Sequence, residues 1–147
     1  KVHQISSTRF NETDDYKTYK GKVDLILTSP PYFNLEQYSI DKEQSYNLYP
    51  SYEEWVNGYI RDTFQIGYDL LKKGGVLLLN IADTKELPLE LDTLSVIEDI
   101  GFEFKYEIGM KMQRYLGLDT ERIYNRYYDG ERDKFVKVEP ILKFIKK

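Results

Sequence analysis

A chain of 147 residues, 41% hydrophobic and 31% charged, is long enough for one domain with a real core and too short for two ordinary ones. It has no Cys, which excludes disulfides and thiolate zinc sites, and a single His, His3, which leaves little material for a histidine-based triad or metal cluster; no apolar run approaches the roughly 20 residues that span a bilayer. With no signal peptide visible, the cytoplasm is the expected setting, and the formal net charge of −4 excludes a surface that attracts nucleic acid all over.

In chain order, Val2 to Ser6 reads as a short strand, and the polar stretch Thr8 to Lys22 as loop with at most a turn of helix. Val23 to Thr28 is β-branched and leucine-rich and reads as a buried strand, stopped by Pro30-Pro31. Phe33 to Tyr49 is polar, tyrosine-rich and unpatterned, and its length suits a functional loop. Ser51-Tyr52-Glu53-Glu54 is a capping box that opens the clearest helix, with Trp55, Tyr59, Thr63, Ile66 and Leu70 on one stripe. Trp55 belongs to that apolar stripe and is expected in the core. Gly74-Gly75 is expected to end the helix, and Val76 to Ile81 to form a second buried strand with Asp83 at its C-terminal end.

Leu91 to Ile100 reads as another helix, with Asp92 as cap and Gly101 as stop. Phe102 to Met112 alternates as a strand, Arg114 to Lys137 is rich in Tyr and Arg without a period, and Val138 to Ile145 makes a last strand. With no helix between them, the last two strands are expected to be antiparallel neighbours. The fold class is therefore α/β, a single domain over 1–147 with a mostly parallel sheet, an antiparallel edge strand, and loop insertions near 33–50 and 114–137.

The segment Thr28-Ser29-Pro30-Pro31-Tyr32 carries the chemistry. In open α/β sheets ligands sit outside the carboxyl ends of the strands, where this turn falls. An exocyclic amine of a nucleobase is a poor nucleophile, because its lone pair is delocalised into the ring. A site that accepts hydrogen bonds from the amine protons redirects that lone pair towards a methyl donor. Ser29 Oγ and the Pro30 carbonyl are suitable acceptors, the prolines fix that carbonyl in place, and Tyr32 offers a ring face for an extruded base.

This turn resembles motif IV of the amino-group DNA methyltransferases, the N4-cytosine and N6-adenine family, whose pattern is Asp, Asn or Ser, then Pro-Pro, then an aromatic. Val23-Asp24-Leu25-Ile26-Leu27 before it, Tyr52 to Asp83 with Leu71-Lys72-Lys73-Gly74-Gly75, Gly101-Phe102, and Glu139-Pro140-Ile141-Leu142-Lys143-Phe144 are similar to that family's successive elements. The resemblance covers roughly residues 22 to 147. It implies a Rossmann-like methyltransferase sheet, S-adenosyl-L-methionine as cofactor, DNA as partner, a restriction-modification setting, and Ser29, Pro30, Pro31 and Tyr32 as catalytic residues. The Ser form is similar to many N4-cytosine enzymes and favours cytosine over adenine.

The charge is uneven, with 11 basic and 19 acidic residues over 1–110 against 10 and 6 over 111–147. The basic end is a solvated face or a phosphate contact. Arg114, Arg122, Arg126 and Arg132, interleaved with aromatics, are the candidates for DNA, together with Asn34 after the diproline. The family's glycine-rich turn that approaches the cofactor is not found, and Asp83 is the one weak candidate for cofactor binding, with a turn-forming role as its alternative. The cofactor-binding half is thus expected downstream, as in a circularly permuted member, in omitted residues, or on a second polypeptide, and the isolated chain is expected to be incomplete. Two other readings stay open: methylation of RNA or a protein amide nitrogen, and a non-catalytic DNA-recognition or structural subunit that keeps the fold.

Overall fold

The structure is a computed structural model that describes residues 1–35, 42, 44–112 and 137–147. Val2 to Ser6 is not a strand; Val2 lies almost wholly in solvent and the segment lacks an apolar face to bury. A 3₁₀ turn, Ser7–Glu12, and a short helix α1, Asp14–Tyr19, follow, so the polar stretch holds more helix than its composition suggested. Side chains hold this region to the helix layer, with Ser7 Oγ 2.8 Å from Thr63 Oγ1 and the Tyr16 hydroxyl donating to Asp69 at 2.8 Å.

Strand β1 is Val23–Thr28, as the sequence indicated. After it come a single helical turn α2, Ser45–Leu48, and a long helix in three parts: α3, Tyr52–Glu54; a π-helical turn, Trp55–Ile60; and α4, Arg61–Leu70. The capping box is present: the Glu54 N–H donates to Ser51 Oγ and the Ser51 N–H donates to the Glu54 carboxylate, each at 3.1 Å. The helix ends at Leu70, before the diglycine. Leu71 is already extended and fully buried, and it opens β2, Leu71–Asn80, by pairing with Val23. Gly74 does adopt a left-handed φ of 74°, but inside a bulge where the register moves from Val23 opposite Leu71 to Leu25 opposite Val76.

Helix α5, Leu89–Ile100, starts two residues earlier than expected and stops at Gly101, whose φ is 117°. Strands β3, Phe102–Met112, and β4, Lys137–Lys146, complete a sheet of order β1-β2-β4-β3. β1 and β2 are parallel, and β4 is antiparallel to both β2 and β3, so three strands share one direction and the reversed strand lies between β2 and β3.

Register assigns the two faces. Cross-strand partners point to the same side, which puts Ile26, Leu77, Leu79, Leu142 and Phe144 together against the helices, in one cluster with Trp55, Ile60, Phe64 and Ile97. Leu25, Leu27, Val76, Leu78, Ile141 and Ile145 point the other way. There Leu25 is 52% and Leu27 66% exposed, so β1 is half-buried on one side and open on the other, contrary to the fully buried strand that its composition implied. β1 is also an edge strand, with its outer hydrogen-bonding edge unpaired among the described residues.

Candidate active site

The site is built where β1 and β2 end side by side, at Thr28 and Asn80. Beyond Thr28 the chain turns through Ser29, exposed; Pro30, buried; and Pro31 and Tyr32, half-buried. No hydrogen bond within the described residues occupies the Ser29 hydroxyl. Proline fixes its own φ and cannot continue the β ladder, so the run ends the strand and holds the turn against the core through Pro30. The Tyr32 hydroxyl accepts the Ala82 N–H at 2.9 Å, tying the turn to the segment just past β2. Tyr32 is thereby a fixed ring rather than a free one.

Phe33 lies in the core at 7% exposure, with its ring 5.8 Å from those of both Tyr52 and Trp55 in edge-on contact. The polar character of the surrounding segment hid this residue, whose only sequence signal was its place next to the motif. Tyr52 in turn donates from its hydroxyl to Asp92 at 2.8 Å. Burial first, then that bond and the nearby charges of Asp92 and Asp83, raise the Tyr52 phenol well above its ordinary pKa and keep it a donor. Asp92 therefore anchors Tyr52 and does not cap α5.

The cap of α5 comes from Asp83, whose Oδ1 accepts the Glu90 N–H at 2.8 Å. An acceptor at this first turn satisfies one of the helix's orphan donors. Asp83 thus makes a turn contact of the kind its position allows, through Oδ1. Glu90 sits beside it, its carboxyl pushed up by burial and by the charges of Asp83 and Glu107. Asn34 is exposed immediately after Phe33. Arg114, Arg122, Arg126 and Arg132 lie outside the described residues. Trp55 is fully buried, as its stripe implied.

The described residues provide two acceptors and an anchored ring at the end of β1. They offer no glycine-rich turn after a strand, and the one carboxylate considered for a cofactor is engaged by a helix N–H. The glycine-rich part of a seat for S-adenosyl-L-methionine is therefore not among the described residues.

A mixed α/β sheet with a proline-locked polar turn at a strand end is what a Rossmann-like methyltransferase sheet is expected to show. The N6/N4 DNA methylase family pattern matches residues 23–147, and the chain belongs to that family. None of the curated proteins compared with the chain matches it. Among solved structures the fold is similar to TTHA0409 from Thermus thermophilus, a candidate DNA modification methylase, with a TM-score of 0.59 and 20% identity over 99% of this chain and 54% of that one. The same protein complexed with S-adenosyl-L-methionine matches at 0.56 and 20%, covering 97% and 54%. The M1.HpyAVI–SAM complex matches at 0.56 and 18%, covering 100% and 55%. The chain thus spans about half the length of these relatives. No helix among the described residues is long and apolar enough to cross a membrane.

Proposed function

We propose that this chain is the amine-gripping half of an S-adenosyl-L-methionine-dependent DNA methyltransferase acting on an exocyclic amine of a flipped base, with cytosine N4 favoured over adenine N6. The observation that carries the proposal is the turn after β1, where an exposed Ser29 hydroxyl, without a hydrogen bond among the described residues, adjoins the Pro30 carbonyl that the prolines hold in place. In this reading Ser29 and Pro30 each accept a hydrogen bond from the target amine, Pro31 holds the turn and Tyr32 flanks the base. The effect is positional, since two acceptors fixed before the substrate arrives need no reorganisation. S-adenosyl-L-methionine, when bound, supplies the electrophilic methyl group.

The donor side has to lie near Ser29, and the open edge of β1 runs directly up to it. Together with the bare Leu25 and Leu27, this edge is where the donor-binding half belongs, either elsewhere in one polypeptide or on a second. Because half of each relative lies outside the match, that half has a counterpart in length. Asn34 and the arginines Arg114, Arg122 and Arg126 are the proposed DNA contacts, the arginines to phosphate.

The test is methyl transfer by the chain assembled with its donor-binding half, on duplex DNA, single-stranded RNA and protein, with the product base identified by mass. Transfer to duplex DNA is expected, and Ser29→Ala should lower kcat by about 100-fold, comparable with loss of one preorganised hydrogen-bonding group. Transfer to RNA or protein alone would replace the substrate, and unchanged kcat in Ser29→Ala would remove the turn from the chemistry.

A further inference from the structure

Phe33 has a φ of 51°, and it is the single non-glycine residue with positive φ among those described. The Leu35 N–H donates to the Tyr32 carbonyl at 3.1 Å, so Tyr32 to Leu35 is a hydrogen-bonded turn with Phe33 at its first central position. Positive φ at that position alone is a pattern that glycine ordinarily fills, because a Cβ there is crowded by the backbone. A bulky aromatic in that conformation persists only when its surroundings over-determine it.

The surroundings are visible. Phe33 is buried between Tyr52 and Trp55, and each of those rings is itself tied down. The Tyr52 hydroxyl donates to Asp92 at 2.8 Å, and Trp55 Nε1 donates to Ser45 Oγ at 3.1 Å. On the other side of the turn, Tyr32 is bonded to the Ala82 N–H. These two anchors are adjacent residues, so the handedness of Phe33 sets how Tyr32, and behind it the Pro30 carbonyl, are oriented.

We infer that Phe33 is a positioning residue for the amine-gripping turn: its buried ring holds the backbone left-handed and so fixes Tyr32 and the Pro30 carbonyl. The inference rests on the function proposed above for its bearing on catalysis, and on the geometry alone for its bearing on the turn. A residue that merely fills space would lose stability on truncation without any special relation between glycine and alanine. A residue that carries strain reverses the usual order, because glycine adopts the left-handed conformation freely and alanine does not.

The experiment compares Phe33→Gly, Phe33→Ala and Phe33→Leu with the wild-type chain by thermal melting and amide hydrogen exchange. Phe33→Gly should melt above Phe33→Ala, the opposite of the order in ordinary backbone. In both, the amides of Ala82 and Leu35 should exchange faster by about tenfold or more relative to the Leu79 amide within β2, which reports global opening. Phe33→Leu keeps an apolar anchor and should recover most of the protection. In the assembled enzyme, Phe33→Gly should lower kcat by about tenfold or more with the KM for S-adenosyl-L-methionine unchanged, a split that pure destabilisation does not give. Phe33→Ala melting above Phe33→Gly, or Ala82 exchange that follows Leu79 in every variant, overturns the inference. Melting and exchange decide it even if the wild-type protein transfers no methyl group, a result that would count against the proposed function alone.

Discussion

The two faces of the sheet carry similar residues and have opposite surroundings. On one, Leu77, Leu79, Leu142 and Phe144 are fully buried beneath α4, α5 and the π-helical turn. On the other, Leu25 and Leu27 stand in solvent beside half-buried Val76 and Leu78, and Ile108 is 41% exposed on β3. Contiguous apolar surface of this kind on a sheet, bordered by a strand edge that is unpaired among the described residues, marks an interaction surface rather than a finished exterior. β1 is apolar on both sides because, in the complete protein proposed here, one side packs within this chain and the other against the donor-binding half.

The comparison breaks if the two faces prove energetically alike. Phe144→Ala on the covered face should destabilise the chain by about 3 to 5 kcal/mol, from lost transfer energy and the cavity left behind. Leu27→Ser on the open face should change the same urea-unfolding free energy by less than about 0.5 kcal/mol. Equal losses would mean that both faces are covered. The comparison sharpens if the open face matters only in assembly. Leu25→Lys combined with Leu27→Lys should leave unfolding of this chain nearly unchanged, yet weaken its pairing with the donor-binding half by about 100-fold, the weight of two partly buried leucines. Pairing of wild-type strength, read by sedimentation, would place the partner elsewhere.

Smaller effects test the covered side alone. Asp83→Ala removes the acceptor from the Glu90 N–H and should cost about 1 kcal/mol, as for a lost helix cap. A neutral result would return Asp83 to the candidates for ligand binding. The smallest effect concerns Glu90, whose carboxyl has a raised pKa in the folded chain because of burial and then the Asp83 and Glu107 charges. The folded state therefore holds that proton at pH values where the unfolded state has released it, and the ionised form costs stability as pH rises through this range. Glu90→Gln should melt slightly higher than wild type at pH 7, and the advantage should vanish as pH falls and the wild-type carboxyl becomes protonated. An advantage that grows in acid would contradict the sign.

Sequence was a good guide wherever the cause is local. The bounds of β1 and β3, the capping box at Ser51, the stop at Gly101 and the burial of Trp55 all follow from neighbouring residues, and so does the diproline turn. The errors have distant causes. Leu71 joins a strand because Val23 lies beside it, which no property of Leu71-Lys72-Lys73-Gly74-Gly75 reveals. Phe33 is core because Tyr52 and Trp55, some twenty residues on, form its pocket. Asp83, not Asp92, meets the α5 N-terminus, since which of two nearby carboxylates does so depends on how the loop after β2 folds back. The reversed strand was expected at the edge and lies inside, because β4 pairs with β2 as well as with β3.

In the function proposed above, one transfer site divides into an amine side at Ser29 to Tyr32 and a donor side that the described residues do not supply. The most direct test is a calorimetric titration of this chain alone with S-adenosyl-L-methionine. A dissociation constant weaker than about 1 mM, equivalent to less than about 4 kcal/mol of binding, is the expected result. Micromolar binding by the chain alone would contradict it and place both sides of the site within these 147 residues.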